Sequence, residues 1–429
     1  MVFPVVVALC SSLLISFSVL FKPKQIKFEL YPFIPVIGAL ILVFAGFIDW
    51  NSIFSRLFSS SSANPLKVVV LFICTSLISV FLDETGFFEA LASFAAKRAG
   101  KNQLKIFFVF YITVSCLTVF TSNDIVILTF TPFLLQFSAK AKIDPKPYIM
   151  AEFVAANTWS MLFLIGNPTN VYLTSAAGID FFSYLLVMWL PTVLAGVCSL
   201  VALLLIFGKS LKKPLDNSVI DVKLKDKPLA IFCAVVLSVC TVIVAVSSYI
   251  GLEMWYVSLA SCFVLYIVAL VVYAVRKQSP VVVIGSIKRA PLQMAPLVIG
   301  MFVIVLALDL SGFTELCAKL LGETNVILKY GVFSAISANL LNNIPMSVLF
   351  SSIATFAPDT AYLKAVYSTV IGSNIGAFFT PLGALAGLMF SSIVNKNGVK
   401  FSFFDFCKYG FLPAVFSLLG ALLGLYVTL

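Results

Sequence analysis

Four clusters of small polar residues interrupt otherwise apolar, charge-free stretches of this chain, and their residue types suit the binding of a small polar solute. Thr121-Ser122-Asn123-Asp124 sits at the turn of an apolar hairpin, and Asn157-Thr158 leads to Gly166-Asn167-Pro168-Thr169-Asn170 inside one long apolar segment. Further on, Asn342-Asn343-Ile344-Pro345 marks a second turn, and Gly372-Ser373-Asn374 leads to Thr380-Pro381-Leu382-Gly383 inside a second long segment. Proline removes a backbone donor and collides with the preceding turn, while glycine accepts irregular backbone, so each long segment reads as a broken helix. A broken helix exposes N–H groups at one end and carbonyls at the other. Asparagine carboxamides at such ends donate and accept at once, which suits a small hydroxylated or oxyanion substrate. The structural alternative is that Gly and Pro merely kink a span and Asn bonds between helices. Recurrence of both elements in matching order favours binding. The candidate substrate- and ion-binding residues are Ser122, Asn123, Asp124, Asn157, Thr158, Asn167, Thr169, Asn342, Asn343, Ser373, Asn374 and Thr380.

Asp124 is the only acid on a hairpin tip, and an ionisable residue inside a membrane segment is a functional hypothesis by default. Its carboxylate either exchanges a proton or ligates sodium as a hard oxygen donor, which makes it the candidate coupling residue. Glu152, near a span end, is the next acid to test. Glu89 and Glu315 repeat between the halves, but each sits on a short helix before its hairpin, where an interfacial structural role is expected.

Other chemistries are excluded or unsupported. The chain has no His, which removes His-based metal sites, Ser-His-Asp triads and zinc motifs, and its nine Cys stand singly. Neither a Walker loop nor a dinucleotide fingerprint occurs. No metal, cofactor or enzymatic constellation is therefore expected. Energy must come from a proton or sodium gradient, or from a partner such as a cytoplasmic ATPase subunit. A passive channel would not need inverted repeats with broken helices.

The elements that position these residues follow from composition and charge placement. The chain is 61% hydrophobic and 11% charged, with mean hydropathy +1.10, far from a soluble domain. Stretches long enough for a bilayer core, about 20 residues as a helix, recur near 3–20, 30–48, 66–82, 148–176, 182–207, 228–248, 254–275, 291–310, 363–392 and 404–427. The first lacks a basic leader and a small-residue cleavage site, so it reads as a span rather than a signal peptide. Period-two alternation is absent, which disfavours a barrel. The expected fold is an all-α integral membrane protein of about ten transmembrane helices. Two further segments, 106–139 and 325–357, read as re-entrant hairpins whose polar tips are buried by protein.

The +10 net charge is topological. Of the 28 Lys and Arg, 23 fall in loops 22–27, 97–105, 140–146, 209–227, 276–289 and 396–408, which the positive-inside bias places in the cytoplasm. Both termini are then expected outside the plasma (inner) membrane, with the bilayer and not nucleic acid as the partner of the charge. The 209–227 linker is read as a solvated connector.

Residues 85–91, Thr-Gly-Phe-Phe-Glu-Ala-Leu, echo residues 311–317, Ser-Gly-Phe-Thr-Glu-Leu-Cys, and the downstream landmarks recur at offsets of 219, 217 and 222 residues. The first hairpin enters from the cytoplasm and the second from outside, so the halves are inverted, as alternating access around a fixed site requires. The expected organisation is an N-terminal segment 1–29, repeat 1 at 30–207, a linker with a connecting helix at 208–253, and repeat 2 at 254–429.

Several of these motifs carry a family resemblance. Asn123-Asp124 before Leu128-Thr129-Phe130-Thr131-Pro132 resembles the first-hairpin motif of bacterial arsenite permeases. Asn342-Asn343-Ile344-Pro345, Val370-Ile371-Gly372 and Thr380-Pro381-Leu382-Gly383-Ala384-Leu385-Ala386 are similar to their second-half motifs. Ala290-Pro291, Gly312-Phe313-Thr314-Glu315 and Phe411-Leu412-Pro413 also fit. This arsenical-pump branch belongs to an ion-transporter superfamily that includes sodium/proton antiporters, citrate–metal carriers and sodium–dicarboxylate symporters. The resemblance implies proton-coupled efflux of arsenite or antimonite. A sodium/proton antiporter or a sodium-coupled citrate- or dicarboxylate-like carrier is the alternative. Two departures bear on coupling: Asn157 and Asn374 stand where the resembled permeases have Asp. No Lys or Arg lies within the central breaks, which disfavours a dicarboxylate and suits a neutral trihydroxide. A homodimer and an ATPase partner are left open.

Overall fold

In the computed structural model, which describes residues 2–20, 30–59, 64–100, 102–212 and 224–429, the chain is all-helical, with twenty α-helices and no strand among the described residues. Most of the 209–227 linker, residues 213–223, lies outside the described residues. The first ten helices are α1 (Val2–Leu20), α2 (Ile34–Phe44), α3 (Trp50–Leu57), α4 (Pro65–Glu84), α5 (Phe87–Ala99), α6 (Gln103–Phe120), α7 (Asn123–Lys140), α8 (Lys146–Trp159), α9 (Pro168–Ala176) and α10 (Phe181–Phe207). The second ten are α11 (Lys227–Val246), α12 (Met254–Val275), α13 (Val281–Lys288), α14 (Met294–Leu310), α15 (Phe313–Leu321), α16 (Val326–Leu341), α17 (Asn343–Ala354), α18 (Asp359–Ile375), α19 (Leu385–Lys396) and α20 (Phe403–Thr428). Each helix has its counterpart ten places on. The order of the first half is repeated in the second, down to the eight-residue α3 and α13.

The sequence echo at 85–91 and 311–317 has a local cause. Gly86 and Gly312 precede α5 and α15 at φ +82° and +76°, a left-handed conformation that glycine adopts without a Cβ penalty. The chain turns sharply there, and α14 meets α15 at 77°.

The halves interlock. α4 packs against α12 and α14 against α2, so each half's deep helix lies on the other half's peripheral one, and α10 runs against α20. Close approach at the α10–α20 contact depends on Gly424, where a Cβ would stand 2.8 Å from the Pro191 backbone. Small residues serve this purpose between membrane helices, where no water drives association.

Among the described residues six helices are long and apolar enough to cross a membrane: Pro65–Glu84, Gln103–Phe120, Phe181–Phe207, Lys227–Ile250, Met254–Val275 and Phe403–Thr428, with Met294–Leu310 and Phe313–Leu321 forming a bent seventh. The expected spans 148–176 and 363–392 are broken, into α8 and α9 and into α18 and α19, with 3-10 turns at Leu164–Gly166, Gly376–Phe378 and Pro381–Gly383. The arms of the second hairpin, α16 and α17, are shorter apolar helices, whereas α6 in the first has the length and composition of a span.

Candidate substrate and ion site

The polar clusters fall at the ends of short helices. Ser122 is the N-cap of α7, and Asn123 opens that helix. The Asn123 carboxamide donates from Nδ2 to Asn157 Oδ1 at 2.8 Å, which joins the first hairpin tip to the last turn of α8. Asn157 donates in turn to the Phe153 carbonyl at 2.9 Å. Where α8 ends, Ser160 Oγ lies 2.8 Å from the Asn157 carbonyl and 3.0 Å from Asn374 Oδ1. Its single proton serves one acceptor at a time.

Asn374, in the last turn of α18, binds the break in the other half. Its Oδ1 accepts from Asn167 Nδ2 at 2.7 Å, and its Nδ2 donates to Asn170 Oδ1 at 2.7 Å and to the Val370 carbonyl at 2.8 Å. Asn167 also caps α9, accepting from the Thr169 N–H at 3.2 Å. Asn170 returns a bond from Nδ2 to the Ser160 carbonyl at 2.8 Å. Thr169 and Ser373 pair through their hydroxyls at 3.0 Å. These groups are buried, and each carboxamide that lost water has recovered partners, as buried amides must.

A second polar cluster forms around the other hairpin tip. Asn342, at φ +73°, caps α17 and donates to the Leu382 carbonyl at 3.2 Å. Thr380 Oγ1 donates to Asn339 Oδ1 at 2.7 Å, and Asn339 Nδ2 donates to the Gly376 carbonyl at 2.9 Å. The hairpin tip is thus tied to the break between α18 and α19.

Of the residues singled out from the sequence, Asn123, Asn157, Asn167, Thr169, Ser373 and Asn374 meet in one network, and Asn342 and Thr380 meet in the other. Ser122 sits at the tip 3.5 Å from Asn123 Oδ1. The Asn343 side chain is buried but joins neither network among the described residues. The Thr158 hydroxyl is buried with no hydrogen-bond partner among the described residues. The half-buried Asp124 carboxylate has no hydrogen-bond or ion-pair partner among the described residues. Three members escaped sequence reasoning. Ser160 and Asn170 flank the first break, and Asn170 carried a signal as the last residue of the Gly-Asn-Pro-Thr-Asn motif. Asn339 stood as an isolated polar residue on an apolar arm, three positions before the tip.

The site carries no Lys or Arg, so its chemistry is that of neutral donors and acceptors beside one unpaired carboxylate. A cavity of about 400 Å³, bordered by Lys67, Ser175, Asp180, Glu253 and Trp255, opens beside the start of α4. A small cavity of about 20 Å³ shares Val68 with it and reaches Thr169, Tyr172 and Ser347. Lys67 Nζ and Glu253 Oε2 pair at 2.7 Å at the large cavity. At the opposite end of α4, Arg289 binds Asp83 at 2.6 Å and Glu84 at 2.8 Å.

An all-helical fold with paired broken helices and a buried neutral polar site defines a multi-pass membrane transporter. The chain belongs to the citrate transporter family (CitMHS), whose profile matches residues 5–367. It is 26% identical over 367 residues to the arsenical pump membrane protein of Escherichia coli K12, covering 82% of this chain and 84% of that one. It is 25% identical over 413 residues to a 46 kDa membrane protein of Mycobacterium leprae, covering 91% and 92%. The crystal structure of the YdaH transporter of Alcanivorax borkumensis has a similar fold, with a TM-score of 0.54, 14% identity, and coverage of 99% of this chain and 98% of that one.

Proposed function

We propose that this transporter exports arsenite or antimonite in exchange for protons, by alternating access around the Asn123–Asn157–Asn374 network. The observation that carries the reading is the neutrality of that network. Its carboxamides and hydroxyls match As(OH)3, which brings donors and acceptors but no charge, whereas a polycarboxylate would call for fixed cations that the site lacks. The relatives named as arsenical pump membrane proteins support the same substrate class. Asp124, unpartnered at the hairpin tip, is the proposed coupling group. The unpartnered Thr158 hydroxyl is available for a substrate contact.

The repeat units are proposed to begin one helix before 30 and 254, because α1 and α11 occupy equivalent places in the order. The basic loops are proposed to face the cytoplasm of the inner membrane, with both termini outside, which makes the Lys67–Glu253 cavity the outer vestibule.

A second reading, carriage of citrate or a similar carboxylate with sodium, is favoured by the family description and by the free carboxylate of Asp124 as a hard cation ligand. Purified protein in liposomes separates the two. Arsenite flux driven by a pH gradient without sodium supports the first, and sodium-dependent citrate flux with no arsenite flux overturns it. In a strain lacking arsenite efflux, expression should raise tolerance and lower cellular arsenic.

A further inference from the structure

Glu152 is a buried acid that the polar networks above do not use. It lies on α8, five residues before Asn157, and is 1% exposed. Its neighbours along the helix, Ala151 and Phe153, are as deeply buried. An ionised carboxylate in such a place is costly unless a cation or several donors stand against it.

Among the described residues its only hydrogen-bond partner is Thr131, on α7. Thr131 Oγ1 stands 3.0 Å from Oε1 and 2.9 Å from Oε2. A hydroxyl carries one proton. Against a carboxylate, that proton is shared between two acceptors, and the anion has a single divided donor. Against a carboxylic acid, the Glu152 O–H donates to Thr131 Oγ1 while the threonine O–H donates to the other oxygen. The ring closes with two full hydrogen bonds. The neighbouring Thr129 behaves differently, bonding back to the Ile125 carbonyl at 2.9 Å, the ordinary outlet for a threonine in a helix.

Among the described residues, no charged or titratable group on the elements packed against α8 makes an ion pair or hydrogen bond with Glu152. Lys146, on α8 itself, is 3.8 Å from Asp405 of α20, and Tyr148 donates to Gln103. Tyr111 of α6 donates to the Gly196 carbonyl, Tyr184 of α10 to the Met161 carbonyl, and Tyr367 of α18 to the Ser183 carbonyl. Lys105 on α6, Asp124 and Lys140 on α7, Asp359 and Lys364 on α18, and Lys408 and Tyr409 on α20 make no ion pair or hydrogen bond with Glu152. The corresponding position in the second half, 217 residues on, is Thr369, which bonds to the Ala365 carbonyl. The buried acid is therefore present in one half only.

We infer that Glu152 is a proton-binding site, held in its acid form by Thr131, and that it carries one transported proton per cycle. This rests on the proton-exchange reading above and adds a second carboxyl to it, distinct from Asp124. The step is a simple proton transfer. When α7 and α8 part and water reaches the carboxyl, the Glu152 O–H bond breaks to give carboxylate and hydronium. The same bond re-forms with a proton from the opposite side, with no change of oxidation state. The location suits the role, because α7 and α8 also carry Asn123 and Asn157. A movement that separates those two carboxamides also opens the Glu152–Thr131 ring.

Infrared spectroscopy of the purified protein in liposomes at neutral pH tests this without any substrate. A protonated carboxylic acid C=O band is expected in the wild type, lost in Glu152→Gln and retained in Asp124→Asn. It should shift in Thr131→Val and return to its position in Thr131→Ser. Absence of the band from the wild type, or its survival in Glu152→Gln, overturns the inference, whatever the substrate or coupling ion proves to be. Size-exclusion profiles establish that each variant is folded. In proteoliposomes that transport arsenite, Glu152→Gln should lose the dependence of flux on an imposed pH gradient. Retained dependence overturns the coupling role and leaves the infrared result to decide the protonation.

Discussion

Asn374 and Asn170 are 204 positions apart and their carboxamides meet at 2.7 Å, with Asn167 donating to the same Asn374 side chain at 2.7 Å. One residue from the end of α18 thus satisfies both asparagines that bracket Pro168-Thr169 in the opposite half. The break in one repeat is stabilised by the other, so neither half holds its site alone.

Replacing Asn374 by Ala removes an acceptor from Asn167 and a donor from Asn170 together. An orphaned buried polar group costs about 1–3 kcal/mol. Asn374→Ala should therefore lower the thermal stability of detergent-purified protein by at least that amount and abolish transport. Asn123→Ala strands Asn157 Oδ1 alone and should cost less in stability. A melting temperature unchanged in Asn374→Ala would remove this network from the fold's support.

Much of the architecture was legible because its causes are local or periodic. Broken spans follow from Pro168 and Pro381 with their glycines, and the hairpin turns follow from polar tips between apolar arms. The echo around Gly86 and Gly312 reported a backbone need, a left-handed turn, that only certain residues meet. What stayed hidden depends on pairing at long range. Nothing local to Arg289 indicates that it binds Asp83 and Glu84 more than 200 positions away. Because each half sets a hairpin tip beside its own broken span, Asn123, Asn157, Asn343 and Asn374 are expected to converge; among the described residues Asn343 joins neither network, and the capture of Asn374 by Asn167 and Asn170 crosses the halves and has no local signature. Asn339 lacks a counterpart in the first hairpin, so the repeat could not flag it. Glu152 looked like a span-end acid because charge spacing alone does not reveal depth.

α16 and α18 approach closely at Gly372. A Cβ there would collide with the Ser334 hydroxyl and stand 2.6 Å from the Gly331 carbonyl. Overpacking of this kind costs about 1–3 kcal/mol. Gly372→Ala should destabilise the protein by that amount. Gly398→Ala, at φ +77° with open space around it, should act through backbone strain alone, and its melting curve should leave transport per folded molecule unaltered.

The Lys67–Glu253 pair offers a pH readout in solvent. The Lys67 ammonium bonded to Glu253 holds its carboxyl below the ordinary glutamate range, and the indole of Trp255 donates to it at 2.9 Å. A carboxyl whose value is lowered by folding keeps its contacts at neutral pH and loses them as pH falls through that lowered value. Trp255 fluorescence should be flat through mildly acidic pH and change only below the ordinary glutamate value. In Lys67→Met the transition should move up in pH, and in Trp255→Phe the signal should vanish. A midpoint at or above the ordinary value in the wild type would show that the pair does not form in the membrane.

Asp124 is placed where coupling would be read most directly. Its carboxylate stands at the tip of the first hairpin, next to Asn123, which holds the broken span through Asn157. Among the described residues no cation compensates it, so a proton or a sodium ion is left to do so. Asp124→Asn keeps the side-chain shape while removing the charge and the exchangeable proton. It is expected to insert and fold normally yet fail to move substrate against a gradient. The driving ion then separates the mechanisms. If a pH gradient alone energises the wild type, Asp124 exchanges a proton; if sodium is required, the carboxylate serves as its ligand beside hairpin carbonyls. Should Asp124→Asn still accumulate substrate at wild-type rates, the carboxylate is structural, and the coupling charge resides with Glu152.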